Sequence, residues 1–172
     1  MVRNSNVRLF VKNTLVRSKS IELTHDAAHY VTNVMRLGVG DSLTLFNGRD
    51  GEWEGLIQRA ERKSTIVNLM RLMRSQTVEP DVWMAVAPIK RTRMEYLIEK
   101  VTELGVTRIL PVTTRRSVVS RINVERLRLR AIEAAEQCGR LSIPDIAELQ
   151  QLESFLETLE AGSQVVWCDE SG

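Results

Sequence analysis

The first seventy-five residues alternate apolar and polar positions over short runs that are separated by turn residues. This alternation predicts five short strands, at residues 7–11, 20–23, 42–46, 51–60 and 64–73. Between the second and third strands, Thr24 can cap a helix and Gly38 can end it in the left-handed conformation. Five strands with one helix predict a small, partly open β-barrel.

The pattern changes after a polar segment at residues 75–80, which is predicted to link a domain at residues 1–74 to a domain at residues 81–172. Residues 82–89 and 106–112 are nearly continuous apolar runs, typical of strands that are covered on both faces in a parallel sheet. Strands that alternate with helices predict an α/β domain, in which ligands bind beyond the carboxyl ends of the strands.

Helix signals follow these buried strands. Residues 92–95 have the spacing of a capping box, and the helix that they open ends at Gly105. Asn123 opens a second helix, which ends at Gly139. Two more elements are predicted after it, a helix at residues 148–159 and a strand at residues 164–168.

Basic residues are concentrated in two regions of the chain. Residues 1–75 hold twelve Lys and Arg against seven Asp and Glu, and residues 86–140 hold twelve against six. Residues 141–172 hold seven acidic residues and no basic ones. Two separated basic regions suit a polyanionic partner such as RNA, although any single arginine can simply solvate a helix face.

The strand that ends at Val112 is followed directly by two threonines, Arg115, Arg116 and Ser117. This order places two guanidinium groups and three hydroxyls at the ligand-side edge of the sheet, where arginine suits bidentate contacts with phosphate. Three residues at the end of the next helix could converge on the same edge: Glu136, Gln137 and Arg140. Alternatively, Glu136 and Arg140 form only a surface ion pair, since they are four residues apart.

Other chemistries have weak signals. His25 and His29 have the spacing of two zinc ligands on a helix, but no third ligand is evident nearby, so we expect no metal site. Cys138 and Cys168 form no CxxC pair, which predicts a reduced, cytoplasmic protein. No apolar run approaches the roughly 18 residues that span a bilayer, so no membrane association is expected.

Four linked motifs give the chain a family resemblance. They are HYVTNVMRLGVGDSLTLFNG at residues 29–48, EKVTELGVTRILPV at 99–112, RRSVV at 115–119 and EAAEQCGRLSIPDI at 133–146. In these motifs the chain resembles the RsmE-type methyltransferases, which methylate N3 of a uridine in the small-subunit (16S) ribosomal RNA.

The resemblance implies an α+β protein of two domains. A small PUA-like β-barrel that binds RNA would be followed by an α/β SPOUT-type methyltransferase domain. S-adenosylmethionine would be the cofactor, the partner would be small-subunit ribosomal RNA or the assembled small subunit, and the complete enzyme would be a homodimer.

The resemblance also implies roles for individual residues. Arg8 and Arg36 would help to grip RNA. The substrate side of the catalytic cleft would be lined by Arg115, Arg116, Ser117, Glu136, Gln137 and Arg140. The N3 proton of uridine must leave during methyl transfer, so Arg115 or Arg116 could stabilise the uridinate anion while Glu136 accepts the proton.

The family pattern continues beyond the last residue of this sequence. Family members carry a glycine-rich GPEGG segment and an LGxRILRxETA segment, which form the C-terminal trefoil knot that binds the cofactor. We therefore expect an incomplete SPOUT-type domain without its knot, a cofactor site beyond Gly172 and little activity from residues 1–172 alone. A non-catalytic module that binds RNA or the ribosome on the same scaffold is the alternative.

Overall fold

The computed structural model describes residues 4–61, 63–115, 117, 119 and 121–168. The first half of the chain folds into one five-stranded sheet. Its strands are β1 (Asn4–Phe10), β2 (Ser20–Thr24), β3 (Ser42–Phe46), β4 (Glu52–Ala60) and β5 (Ser64–Arg74). The order is β1-β3-β4-β5-β2, with β1 parallel to β3 and the other neighbours antiparallel. The prediction of five strands is confirmed.

The core of this sheet consists of the apolar residues that alternate with exposed ones along its strands. In β2, for example, Ile21 and Leu23 are buried while their neighbours are exposed. These side chains pack against the helix α1 (His25–His29) and the π-helical turn (Tyr30–Val34) that continues it. Burial of this apolar surface is the main stabilising term for the barrel.

The start and end of this first helix differ from the prediction. Thr24 precedes the helix in an extended conformation, but its side chain makes no capping hydrogen bond. At the other end Arg36, not Gly38, takes the left-handed conformation, with φ of 55°. The reason is the change from α to π geometry, in which Met35 donates to the carbonyl of Tyr30, so that the helix ends before Gly38 is reached.

The second half of the chain forms a parallel sheet with helices on its faces. Its strands are β6 (Trp83–Val86), β7 (Arg108–Thr113), β8 (Asp145–Ile146) and β9 (Gln150–Gln151). Both β6 and β8 pair with β7, and β9 pairs with the last two residues of β7. The expected α/β alternation is therefore present, although β6 is shorter than the apolar run that predicts it.

Two long helices pack together against the parallel sheet. They are α2 (Arg91–Glu103) and α3 (Val124–Cys138), and their core includes Ile98, Ile109 and Leu127. The left-handed stops are confirmed, with φ of 90° at Gly105 and 80° at Gly139. The cap at Asn123 is also confirmed, because its side chain accepts a hydrogen bond from the backbone of Arg126.

Two predictions about this half are wrong, and a third, the helix at residues 148–159, is confirmed only in part. The N-cap of α2 is Lys90, so Thr92 lies inside the first turn and no capping box forms. Residues 148–159 contain the short strand β9 and then the short helix α4 (Leu152–Glu157), because residue 150 joins the edge of β7. Residues 164–168 pair with no strand in the described part of the chain, and the side chains of Val165, Val166 and Trp167 are exposed.

Candidate functional site

The segment between β7 and α3, residues 114–122, is called the arginine loop here. It begins with a turn that its own hydroxyls stabilise. The backbone N–H of Thr114 donates to Oγ of Ser117 at 2.8 Å, and the backbone N–H of Ser117 donates to the carbonyl of Thr114 at 3.0 Å. Arg115 lies within this turn and is exposed. Arg116 lies outside the described residues.

This turn places a cation beyond the carboxyl end of a parallel strand. Parallel sheets bind ligands at that edge, and the exposed guanidinium of Arg115 has the geometry to hold an oxyanion. The Oγ of Ser117 accepts the backbone N–H of Thr114 and lies 3.2 Å from the Thr114 hydroxyl, and its predicted contact with the substrate stays a prediction. Its visible contribution is to shape the turn that presents Arg115.

Arg8 lies in a buried ionic cluster between the two halves of the molecule. Its Nε pairs with the carboxylate of Glu52, and the side chains of the two residues are 11% and 10% exposed. Its terminal nitrogens donate to the carbonyls of Ala135 and Arg140, at 2.5 and 2.6 Å. The guanidinium also stacks 3.8 Å from the centre of the Phe46 ring.

These contacts turn Arg8 inward, to the C-terminal end of α3. Arg74, at the end of β5, has a similar position, since it binds Glu52 at 2.6 Å and the carbonyl of Gly139 at 2.7 Å. Two cations thus lie at the negative end of the α3 dipole, where the last carbonyls lack helical partners. The geometry of Arg8 therefore does not support its predicted contact with RNA and gives it the task of joining the two sheets.

Glu52 is the carboxylate that connects the two arginines. Burial favours the neutral acid and would raise its pKa, but hydrogen bonds from Arg74 and Arg8 and the charges of both outweigh this effect. The pKa of Glu52 consequently lies below its ordinary value of 4.5. Glu52 is ionised at neutral pH, and the cluster is a pair of arginines bridged by one buried charge.

Arg140 makes a second connection at the same end of α3. Its side chain is 7% exposed, pairs with Glu79 at 2.5 Å and donates to the carbonyl of Thr102 near the end of α2 at 3.0 Å. Burial alone would raise the pKa of Glu79, but the hydrogen bonds from Arg140 and Ser142 lower it. The guanidinium of Arg140 is therefore committed to contacts within the protein.

Glu136 also contacts the first sheet. Its Oε1 accepts a hydrogen bond from the backbone N–H of Phe10 at 2.9 Å. Burial raises the pKa of Glu136, and this effect exceeds the lowering by that hydrogen bond and by the charge of Arg8. The surface ion pair between Glu136 and Arg140, the alternative suggested by their spacing, is replaced in the structure by these contacts to β1 and to Glu79.

The predicted convergence of the arginine loop with the end of α3 is wrong. The helix α3 has fifteen residues, so its two ends lie about 22 Å apart. The arginine loop leads into its start, whereas Glu136 and Arg140 lie at its end, beside the opposite edge of the sheet. The strand β8, which follows α3, pairs with the first residues of β7 and confirms that the chain has returned to that edge.

The remaining predicted residues lie on the surface. Gln137 is exposed on the last turn of α3, next to the cluster around Arg8. Arg36 is exposed after the π-helical turn, and its left-handed backbone is an uncommon conformation for a residue other than glycine. Both are accessible to a partner, and their RNA contacts stay predictions.

Sequence reasoning missed the residues that join the two halves, namely Glu52, Arg74 and Glu79. An apolar cluster lies beside them, where Phe46 and Phe10 of the first sheet pack against Ala135 and Leu141. The only available signal was charge at the ends of predicted strands and in the linker, and such charges are usually solvated. Nothing local in the sequence shows which partner they meet.

Two shallow clefts of about 260 and 320 Å³ lie among the described residues. Both are lined by Glu79 and Arg140, and therefore lie at the edge of the sheet that is remote from Arg115. Their linings combine charged side chains with apolar ones, such as Ile143 in the first cleft and Leu104 in the second. Both clefts are too shallow to enclose a molecule of the size of S-adenosylmethionine, and neither is assigned as its site.

The described ranges contain neither a cluster of metal ligands nor a membrane-spanning helix. No group of three or more His, Cys, Asp or Glu side chains there could hold a metal ion. None of the helices in those ranges is long and apolar enough to cross a membrane.

Comparison with known families defines the class of protein. A model for an RNA methyltransferase domain matches residues 76–172, and a model for an RNA methyltransferase PUA domain matches residues 23–70. The first match covers more than half of the chain, and the chain belongs to the RNA methyltransferase family. The family resemblance inferred from the motifs is confirmed, as is the PUA-like character of the first half.

Individual relatives indicate the kind of RNA methyltransferase that this chain is similar to. The chain is 35% identical over 151 residues to ribosomal RNA small subunit methyltransferase E of Rickettsia conorii. The aligned region covers 87% of this chain and 62% of the relative. For the protein of the same name from Synechocystis, identity is 30% over 153 residues, with 87% and 50% covered. The chain thus spans between half and two thirds of the length of these relatives.

Solved structures share the fold. A Legionella pneumophila protein solved with the cofactor SAM is 28% identical with a TM-score of 0.77, covering 94% of this chain and 69% of that one. Ribosomal RNA small subunit methyltransferase E from Neisseria gonorrhoeae, bound to S-adenosyl methionine, has a TM-score of 0.81 at 22% identity and covers 90% and 66%. At that identity, the second likeness shows the fold alone.

Proposed function

We propose that this chain belongs to an S-adenosylmethionine-dependent enzyme that methylates N3 of a uridine in small-subunit ribosomal RNA. The observation that carries the proposal is the 35% identity to a relative named for ribosomal RNA small subunit methylation, which extends over 87% of the chain. The net positive charge of residues 1–75 and of residues 86–140 supports a polyanionic substrate.

The domain division is part of the same proposal. Residues 1–74 would be the PUA-like barrel, residues 75–80 the linker, and residues 81–172 the N-terminal part of a SPOUT-type methyltransferase domain. The change from the first sheet to the second, between the end of β5 at Arg74 and the start of β6 at Trp83, supports this division. A homodimer, which the family resemblance implies, and a cytoplasmic location, which the cysteine pattern predicts, complete the proposal.

Arg115 has the clearest chemical role in this function. Uridine loses its N3 proton during methyl transfer, so negative charge develops on the pyrimidine ring. An exposed guanidinium at the ligand-side edge of a parallel sheet can stabilise that charge or hold an adjacent phosphate. Arg116 is proposed to share the task. Glu136 is not assigned as the base at this edge, because it lies at the other end of α3.

The proposal is tested by deleting the gene in its source organism and measuring N3-methyluridine in purified small-subunit ribosomal RNA by mass spectrometry. We expect the modified nucleoside to disappear and to return when the gene is restored. If its content is unchanged after deletion, the proposal is wrong. Unchanged modification together with altered association with the small subunit would favour the alternative, a non-catalytic module that binds RNA or the ribosome.

A further inference from the structure

Two loops leave the second sheet at the same edge. In the parallel pairing of β6 with β7, Val86 lies opposite Pro111, so both strands end side by side. The segment after β6 carries Lys90 and the first turn of α2, and the segment after β7 is the arginine loop. Residues from two separate parts of the sequence therefore share one edge of the sheet.

Cations dominate these two segments and the helix turns that follow them. Six basic residues, together called the basic rim, are exposed there: Lys90, Arg91, Arg93, Arg115, Arg121 and Arg126. The same stretches contain two carboxylates, Glu95 and Glu125. The rim therefore has a net positive charge, which focuses attraction on a polyanion.

One of the two carboxylates fixes the geometry of the rim. Glu95, whose side chain is 15% exposed, accepts from Nε of Arg91 at 3.2 Å and from Nε of Arg126 at 2.6 Å. The backbone of Arg126 is held in turn by the cap at Asn123. Glu95 thereby ties the first turn of α2 to the first turn of α3, on both sides of the arginine loop.

The other rim cations remain available to a ligand. Within the described ranges, none of the ion pairs involves Lys90, Arg93, Arg115 or Arg121. The two clefts described above lie at the opposite edge, so this edge is an open row of positive charges. An open row suits an extended chain of phosphates better than a small anion, which would need an enclosed pocket.

We propose that the basic rim binds the phosphate backbone of the substrate RNA, with Lys90, Arg93 and Arg121 as contacts additional to Arg115. The inference rests on the proposed function, since it takes the polyanion to be ribosomal RNA. Glu95 is a positioning residue in this scheme, because it holds two of the arginines and the two helix starts in place.

The test compares two triple variants of the 172-residue chain. One removes three rim cations that form no ion pair (Lys90→Ala, Arg93→Ala and Arg121→Ala). The control removes three exposed cations from the β4–β5 hairpin (Arg59→Ala, Lys63→Ala and Arg71→Ala), so both variants lose the same charge. Binding to a fluorescein-labelled transcript of small-subunit ribosomal RNA is followed by anisotropy at several KCl concentrations.

Each lost phosphate contact reduces the slope of log affinity against log salt by about 0.7 to 0.9. We expect the slope of the rim variant to become shallower by about two to three, and that of the control to stay within about one half of the parent. An unchanged slope in the rim variant, or equal losses in both variants, overturns the proposal. Equal melting temperatures of the rim variant and the parent chain confirm that folding is intact.

This result is separate from the test of the proposed function. If the salt slope of the rim variant becomes shallower as expected while gene deletion leaves N3-methyluridine unchanged, the rim binds RNA and the proposed activity is wrong. If deletion removes N3-methyluridine while the slope of the rim variant is that of the parent, the activity stands and the rim proposal fails.

Discussion

The cluster around Glu52 makes a quantitative prediction about stability, tested by replacing Arg8 with alanine. Arg8 and Arg74 both pair with Glu52 and both donate to carbonyls at the end of α3. They differ in burial, because the side chain of Arg8 is 11% exposed and that of Arg74 is 49% exposed. The two arginines therefore share Glu52 and the end of α3 but differ in solvent access, and Arg8 also stacks on the ring of Phe46.

Removing one partner of a buried ion pair destabilises a protein by about 3 to 5 kcal/mol, because the other charge remains buried. In Arg8→Ala, Arg74 still compensates Glu52, so we take the lower limit of about 3 kcal/mol. Arg74→Ala should cost about 1 kcal/mol, since water can reach the groups that it leaves. For a chain of this size, about 3 kcal/mol corresponds to a decrease in melting temperature of roughly 6 to 12 °C.

The assay is equilibrium unfolding in urea at pH 7, followed by circular dichroism. Arg71→Ala is the control, because Arg71 pairs with Glu54 on the surface and is 65% exposed, so its loss should change the unfolding free energy by less than about 0.5 kcal/mol. Equal effects of Arg8→Ala and Arg74→Ala, or an effect of Arg8→Ala below about 1 kcal/mol, would refute the reasoning.

Three further predictions concern the same region. Glu136→Gln keeps an acceptor for the N–H of Phe10 and removes a buried carboxylate whose pKa is raised, so its ionised form is disfavoured. Urea unfolding at pH 7 should therefore show equal or higher stability. A loss above about 1 kcal/mol would contradict this expectation. The pKa of Glu52 lies below 4.5 in the folded state, so the ionised carboxylate stabilises the fold above pH 4.5 and this stabilisation is lost as pH falls through the folded pKa. The free energy of unfolding should therefore fall more steeply below pH 4.5 in the parent chain than in Glu52→Gln. Gly51→Ala should destabilise the fold by at least about 2 kcal/mol, because Gly51 has φ of 78° and a Cβ there would lie 2.3 Å from the carbonyl oxygen of Arg74. Gly38 has open space around it, so Gly38→Ala should cost less than about 0.5 kcal/mol in the same measurement.

Local patterns were sufficient to predict most of the elements. The alternation in β2 and the cap at Asn123 are properties of neighbouring residues, and both are present in the structure. The same holds for the glycine stop at Gly139, which depends on the conformational freedom of one residue. Strands of two residues, such as β8, are too short to show any period, and sequence patterns cannot find them.

The joining cluster could not be predicted for a different reason. Arg8 is separated by 44 residues from Glu52 and by 127 from Ala135. No local pattern encodes a contact across such distances, and a basic residue on a strand in an RNA-binding protein is naturally assigned to RNA. The tertiary fold decides the matter, because it brings the end of α3 against β1.

The error about Glu136 and Arg140 has a topological origin. In a strand–helix–strand unit, the helix returns along the strand, so its start and the end of the preceding strand share one edge of the sheet. The predicted convergence would instead require the end of α3 to lie at the same edge as its start. The fifteen residues of α3 are long enough to carry the chain to the other edge.

The central claim is that RNA binds near the N-terminal end of α3, which follows the arginine loop, while the C-terminal end of α3 packs against the first sheet. The most direct measurement is the N3-methyluridine content of small-subunit ribosomal RNA in gene-deleted cells that express the Arg115→Ala or the Arg8→Lys gene. At matched protein abundance, the account predicts reduced modification with Arg115→Ala and near-normal modification with Arg8→Lys. Normal modification with Arg115→Ala and reduced modification with Arg8→Lys would contradict it.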